Sequence, residues 1–194
     1  ISNGTLVVSN TSASTSYTVD SGATLEFMVG SGTRNMTTSA SLSGSGTVTK
    51  TSSGILQWGA AVATFSLSPG ALIDVQAGEF IGGSFANEVW TANYSDLNVA
   101  SGAIFNGQEA NVRVNALTGS GTIRSGWSGG GYLNFTFGVT NGSATFNGVL
   151  ADSTYPGYFV KPGPGTQVLA GTNTYTGTTT INDGTLEIGG AGQL

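Results

Sequence analysis

Three carboxylic acids occur close together in a stretch that also carries aromatic residues, residues 79–97. They are Glu79, Glu88 and Asp96, and the same stretch contains Trp90 and Tyr94. Glycoside hydrolysis needs two carboxyl groups, roughly 5–9.5 Å apart, on either side of the scissile bond. The three acids are therefore the catalytic candidates for a glycan hydrolase that uses a carboxylate pair. The alternative is that they are loop carboxylates in water with no catalytic role.

The composition removes most other catalytic chemistry. The 194 residues include no histidine and no cysteine. A serine nucleophile would therefore lack its usual histidine base, and neither disulfides nor thiolate metal sites are possible. The acids also do not follow the spacing of a calcium-binding loop. We expect no metal and no cofactor.

The charge pattern argues against nucleic acid as a partner. The formal net charge is −5, and only five residues are basic: Arg34, Lys50, Arg113, Arg124 and Lys161. They are scattered along the chain, whereas binding to a phosphate backbone needs clustered Lys and Arg. Since 38% of the residues are hydrophobic and only 8% are charged, the chain is expected to fold.

Aromatic residues mark three stretches that interrupt the regular pattern of the chain, residues 79–97, 125–137 and 152–164. Insertions into a repeat protein map to loops on one face, which is often the binding face, and aromatic rings can stack on sugars. We expect a polysaccharide or a host or matrix glycan as partner. The ligand-binding candidates are Trp90, Tyr94, Trp127, Tyr132 and Tyr155. Some of these rings could equally cover the end of a core.

A polar-glycine turn followed by a short β-type run recurs along the chain, as at Ser21-Gly-Ala-Thr-Leu-Glu-Phe and Asp183-Gly-Thr-Leu-Glu-Ile. Such recurrence is typical of one small unit stacked repeatedly. Alternation within each run predicts that Leu25 and Phe27 point into the core, as do Leu186 and Ile188. The sequence predicts an all-β solenoid with loop insertions. A compact antiparallel sandwich is the second choice, because the repeated turns are not the two-residue loops of hairpins.

The last quarter of the chain resembles a known family. It reads Lys161-Pro-Gly-Pro-Gly-Thr, then Asn173-Thr-Tyr-Thr-Gly, then Thr180-Ile-Asn-Asp-Gly-Thr-Leu. This pattern is similar to the autotransporter-associated β-strand repeat of bacterial surface passenger domains. The resemblance implies a right-handed parallel β-helix located at the bacterial surface or outside the cell. It also implies an outer-membrane β-barrel translocator elsewhere in the parent protein.

We therefore expect residues 1–194 to form a single β-helical passenger segment, a monomeric piece of a longer exported protein. The first functional hypothesis is a structural and adhesive role, with glycans bound through the insertion loops. The second is the glycan hydrolase described above. A third is a spacer that binds nothing.

Overall fold

The computed structural model describes residues 1–9, 16–36, 40–58, 63–83, 89–127, 129, 131–190 and 192–194. Within these residues the chain forms 22 short strands and no helix. The strands are β1 (Thr5–Val8), β2 (Ser16–Val19), β3 (Thr24–Met28), β4 (Thr33–Met36), β5 (Ala40–Gly44), β6 (Thr47–Thr51), β7 (Ile55–Trp58), β8 (Ala63–Leu67), β9 (Leu72–Val75), β10 (Glu79–Ile81), β11 (Asp96–Val99), β12 (Ile104–Asn106), β13 (Val112–Arg113), β14 (Leu117–Gly119), β15 (Thr122–Ser125), β16 (Asn134–Thr136), β17 (Ala144–Phe146), β18 (Val149–Asp152), β19 (Tyr158–Lys161), β20 (Thr166–Leu169), β21 (Thr179–Ile181) and β22 (Thr185–Ile188).

The strands stack into the sides of a parallel β-solenoid. The first side is a nine-stranded sheet, β1-β3-β6-β9-β11-β14-β17-β20-β22, and the second is a six-stranded sheet, β4-β7-β10-β12-β15-β18. The third side consists of two sheets, β2-β5-β8 and β13-β16-β19-β21. Successive coils visit the sides in the same order, as in β14, β15, β16 and then β17 on the first side again.

Every strand pairing in the described part of the chain is parallel. The predicted all-β solenoid is therefore confirmed, and the antiparallel sandwich is wrong. The coil length varies with the loops: Thr5 pairs with Thr24, 19 residues later, whereas Gly119 pairs with Phe146, 27 residues later.

The core lies inside the coils and follows the predicted alternation. Leu25 and Phe27 are fully buried, while Met28 is 41% exposed. Rings from successive coils form a column, with centroids 4.5–6.5 Å apart, made of Tyr17, Phe27, Trp58, Phe80, Phe105, Phe135, Phe159 and Tyr175. Most neighbours are tilted or edge-to-face, the arrangements that aromatic quadrupoles favour.

Glycine is required where one coil turns against the coil below it. Gly44 and Gly119 have φ angles of 99° and 96°, which are unfavourable for other residues. A Cβ atom at either position would also clash with a backbone carbonyl of the preceding coil, that of Val19 or Val99. The recurring glycine turns seen in the sequence thus follow from the close stacking of the coils.

The inward direction predicted for the last strand is only partly realised. Leu186 is half-buried, and Ile188 is 40% exposed. The reason is that β22 pairs only with β20 in the described structure. No described strand beyond β22 covers these two side chains from the other side.

Two lysines occupy inward positions, where their amines bind backbone carbonyls. The Nζ atom of Lys50 donates to the carbonyl oxygens of Thr51, Ser52 and Ala77 at 2.7–3.0 Å. Because burial disfavours the charged form, the pKa of Lys50 is lowered to about 8. Lys161 donates to the carbonyl of Gly163 at 2.7 Å. Burial lowers the pKa of Lys161 too, and the charge of Asp183 partly opposes this effect.

Candidate functional site

The predicted catalytic acids hold neighbouring coils together. Glu79, on the second side, accepts a hydrogen bond from the Asn106 amide at 3.0 Å. Asp96, on the first side, accepts from the Asn115 amide at 2.8 Å and from the backbone of Ala116 at 3.0 Å. Glu88 lies outside the described residues. The two acids that are described therefore lie on different sheets, and each already serves as a structural hydrogen-bond acceptor.

Trp90 fills the core, although it was predicted to contact a ligand. It is 1% exposed, and its ring stacks on Phe65 with centroids 3.8 Å apart and an interplanar angle of 10°. Its indole nitrogen donates to the carbonyl of Gly82 at 3.0 Å. The ring is held on both its apolar face and its polar edge, so it offers no surface to a glycan. Trp90 was predicted to lie in a binding loop because it belongs to the insertion at residues 79–97.

The third side is interrupted where this insertion crosses it. Between β8 and β13 the described residues on this side contribute one bridge, from Val89 to Thr64, and residues 90–95 form no strand. Asn93, fully buried, spans this gap with its side chain. Its Oδ1 atom accepts from the backbone of Leu67 at 3.3 Å, and its Nδ2 atom donates to the carbonyl of Arg113 at 2.8 Å. The amide thus replaces the backbone hydrogen bonds that a strand would supply.

Tyr94, one of the predicted ligand-binding residues, lies at this interruption with Arg113. Its backbone donates to the carbonyl of Leu67 at 2.9 Å, which fixes its position at the end of β8. The guanidinium carbon of Arg113 lies 5.0 Å from the centroid of the Tyr94 ring, within the range of a cation–π interaction. Both side chains are half-buried. A ring and a positive charge are therefore combined on the outer face of the third side.

A cavity of about 400 Å³ lies on this outer face. Its walls come from the interruption and from three successive strands, and they contain Thr91, Asn111, Arg113, Asn134, Thr136 and Val160. The parallel register explains the arrangement, because Arg113 pairs with Thr136 and Thr136 pairs with Val160. The volume is within the range of roughly 300–1,000 Å³ that is usual for small-ligand sites.

The other predicted aromatic residues lie at the corner between the second and third sides. Trp127 and Tyr132 belong to the turn between β15 and β16, and Tyr155 belongs to the equivalent turn one coil later, between β18 and β19. The two turns are stacked, since the backbone of Thr154 donates to the carbonyl of Gly126 at 3.2 Å. Tyr155 is 50% exposed, and the other two rings are half-buried. We call these three residues the aromatic corner.

The cavity residues were missed by the sequence reasoning, although the alternation contains a signal for them. Arg113 lies between two buried residues, Val112 and Val114, and therefore points outward. Thr136 lies between the buried Phe135 and Phe137 in the same way. Such positions mark an outer face, but the sequence does not show that the faces of different coils meet around a cavity.

The described residues lack two further features, a metal-binding cluster and a membrane-spanning helix. They contain no group of three or more acidic, histidine or cysteine side chains that could hold a metal ion. They also contain no helix that is long and apolar enough to cross a membrane.

Comparison with known proteins agrees with the resemblance seen in the sequence. The family model of the passenger-associated-transport-repeat matches residues 159–188. The chain is 36% identical over 124 residues to an adhesin of Brucella suis biovar 1 (strain 1330), described as the adhesin BmaC autotransporter. The match covers 63% of this chain and 3% of that adhesin. No solved structure matches the chain. With the parallel solenoid, these matches confirm an autotransporter-type passenger segment and a location at the bacterial surface or outside the cell.

Proposed function

We propose that this passenger segment is an adhesive module that binds polysaccharide or a host or matrix glycan on the outer face of its third side. The observation that carries the proposal is the cavity of about 400 Å³, where Arg113 lies beside asparagine and threonine side chains and within cation–π distance of the Tyr94 ring. Amides and hydroxyls can exchange hydrogen bonds with sugar hydroxyls in both directions, and a ring can pack against a sugar face. The adhesin similar to this chain supports the adhesive part of the proposal.

The aromatic corner supports a binding surface that is longer than the cavity. Tyr132 precedes Asn134, which lines the cavity, by only two residues, and Tyr155 precedes Val160 by five. A polymeric ligand that follows β16 or β19 would therefore pass from the rings of the corner to the polar walls of the cavity. A chain-like glycan suits this path better than a single small molecule.

The proposed activity is binding without cleavage. Glu79 and Asp96 each accept structural hydrogen bonds and lie on separate sheets, which argues against these two acids acting as a carboxylate pair for hydrolysis. The segment would act as a stiff surface that presents the cavity, because neighbouring coils are hydrogen-bonded through continuous sheets on the first and second sides. In the parent protein, we propose that an outer-membrane translocator exports it.

The test uses native gels cast with a panel of neutral and acidic polysaccharides and then stained for polymer. Thr136→Trp places a large ring in the cavity, and Thr122→Trp is the matched control, because Thr122 is also half-buried in a strand but lies on the second side. We expect at least one polysaccharide to retard the wild type and the control, and to retard Thr136→Trp much less. Equal retardation of both variants would exclude the cavity as the site.

Two other outcomes of the same gels would contradict the proposal. Absence of retardation by the whole panel would leave the segment as a spacer. Cleared zones in the stained polymer would show cleavage, which would return attention to the carboxylates.

A further inference from the structure

Arg113 carries a positive charge that no carboxylate of the described residues pairs with. Among the described residues its side chain has no hydrogen bond or ion pair, and its one recorded interaction is with the Tyr94 ring. Its Nε atom is buried and has no hydrogen-bond partner. Buried polar atoms are nearly always hydrogen-bonded, so this guanidinium retains bonding capacity beside the cavity that it lines.

Two acids near this site in the sequence do not neutralise the charge in the described structure. Glu109, four residues before Arg113, makes no ion pair with it. Asp96, which lies close to Tyr94 in the sequence, already accepts hydrogen bonds from Asn115 and Ala116. The whole chain carries a net charge of −5, so its overall field does not attract anions. Anion binding at this position must therefore come from the local site rather than from general electrostatic attraction.

We propose that Arg113 binds a carboxylate group of an acidic polysaccharide, with the sugar hydroxyls meeting Asn111, Asn134 and Thr136. This proposal rests on the proposed glycan-binding function and specifies its ligand class. The planar guanidinium presents several donors in a fixed arrangement that matches a carboxylate, and the cation–π contact with Tyr94 restrains its position. Neutral sugars would leave the charge unpaired, so acidic sugars are preferred.

The chain allows a direct test by nuclear magnetic resonance, because it contains only three arginines, Arg34, Arg113 and Arg124. Their Nε–Hε signals can be assigned from Arg-to-Met variants. The probes are a hyaluronan tetrasaccharide, an oligogalacturonate and a short polysialic acid, each compared with its carboxyl-reduced, neutral form. Dextran sulfate oligosaccharide serves as the sulfated probe.

We expect at least one carboxylated probe to shift the Arg113 signal, with its reduced form binding more weakly. Arg113→Met should lower the affinity for that probe by at least about tenfold, as expected for a hydrogen-bonded charge. Arg124→Met is the matched control, because Arg124 is also half-buried in a strand but lies on the second side, and it should leave the affinity unchanged. Arg113→Lys keeps the charge without the planar group, so its affinity for the probe should lie between those of Arg113→Met and Arg124→Met.

Failure of this proposal is distinguishable from failure of the glycan-binding function. If native gels show retardation by a neutral glycan while no carboxylated probe moves the Arg113 signal, glycan binding stands and the role of Arg113 is refuted. A shift with dextran sulfate alone would overturn the carboxylate in favour of sulfate. If neither gels nor spectra detect any ligand, both proposals fail.

Discussion

Replacing Asn93 with alanine should be among the most damaging single changes outside the apolar core. The Asn93 side chain is fully buried and makes three hydrogen bonds, to the backbone of Leu67, to the carbonyl of Arg113 and to the hydroxyl of Ser95. Without the amide, the Leu67 N–H and the Arg113 carbonyl lose these partners. An unsatisfied buried group costs about 1–3 kcal/mol, so we expect a loss of about 2–6 kcal/mol in the free energy of unfolding.

The matched control is Asn98→Ala. Asn98 also uses both ends of its amide, donating to Asp74 at 2.7 Å and accepting from Thr118 at 3.1 Å. It lies on the outer face of the first side and is half-buried, so water can replace these bonds. We expect a loss of about 1 kcal/mol or less, as for an ordinary hydrogen bond.

Equilibrium unfolding in urea measures both variants. Trp90, which is buried three residues from Asn93, gives a fluorescence signal from this region. Asn93→Asp adds a stringent test, because it keeps the acceptor for Leu67 but replaces the donor to the Arg113 carbonyl with a charged oxygen. It should destabilise at least as much as alanine. If Asn93→Ala and Asn98→Ala lose similar amounts, the amide does not replace a missing strand, and the reasoning is refuted.

Three further predictions follow from the core and the cavity. The folded-state pKa of Lys50 is about 8, below the ordinary 10.5, so the unfolded chain binds more protons between these values and stability should rise with pH across that window. Urea unfolding of Lys50→Met should show a smaller rise, and the remainder comes from Lys161, whose pKa is also lowered. Trp90→Ala should lower the free energy of unfolding by about 3–5 kcal/mol, because the ring is buried in the core. Trp127→Ala should change the free energy of unfolding little and should weaken retardation in glycan gels, because this ring is only half-buried. Equal stability losses would contradict the placement of Trp90 in the core and of Trp127 at the aromatic corner. Arg113→Met should not destabilise the fold in the absence of ligand. The lost cation–π contact is worth about 0.5–1 kcal/mol, and it is offset by removal of an unpaired buried donor that costs about 1–3 kcal/mol. A urea midpoint clearly below that of the wild type would contradict this prediction.

The solenoid could be predicted from sequence because its signals are local. A glycine turn and a run of alternating apolar residues recur in coil after coil, and each unit predicts its own inward residues, such as Leu25 and Phe27. The family-like pattern also predicted the region of the repeat, since residues 159–188 match the passenger-associated-transport-repeat. Ile188 is an exception: its alternation points inward, yet it is 40% exposed in the last strand of the first side, and the local pattern does not show how far neighbouring coils cover a residue.

The candidate site was harder to predict because its residues come from different coils. Arg113 and Thr136 are 23 positions apart in the sequence and meet only through the parallel register. Trp90 shows the opposite error. An aromatic residue in an insertion suggested a binding loop, but the ring was needed to fill the core where the third side lacks a strand. Neither fact can be read from composition or from spacing within a single unit.

Buried amides explain how this fold tolerates irregular coils. Besides Asn93, the buried Gln167 accepts from the backbone of Leu117 at 3.0 Å and donates to its carbonyl at the same distance. The buried Asn173 accepts from the backbone of Leu150 at 2.9 Å and donates to the carbonyl of Gln193. In each case one side-chain amide, which carries both a donor and an acceptor, satisfies backbone groups of another coil.

The use of a side-chain amide in place of backbone hydrogen bonds has a functional consequence on the third side. A continuous strand between β8 and β13 would present regular outward side chains and would leave no recess at that point. Asn93 instead links the two sheets of this side through its side chain, so the backbone around it need not follow the strand hydrogen-bonding pattern. Thr91 can therefore lie at the edge of the recess, and the Tyr94 ring can contact Arg113. The same interruption that makes Asn93 essential for stability therefore creates the cavity, so Asn93→Ala should weaken glycan retardation under conditions in which the rest of the solenoid remains folded.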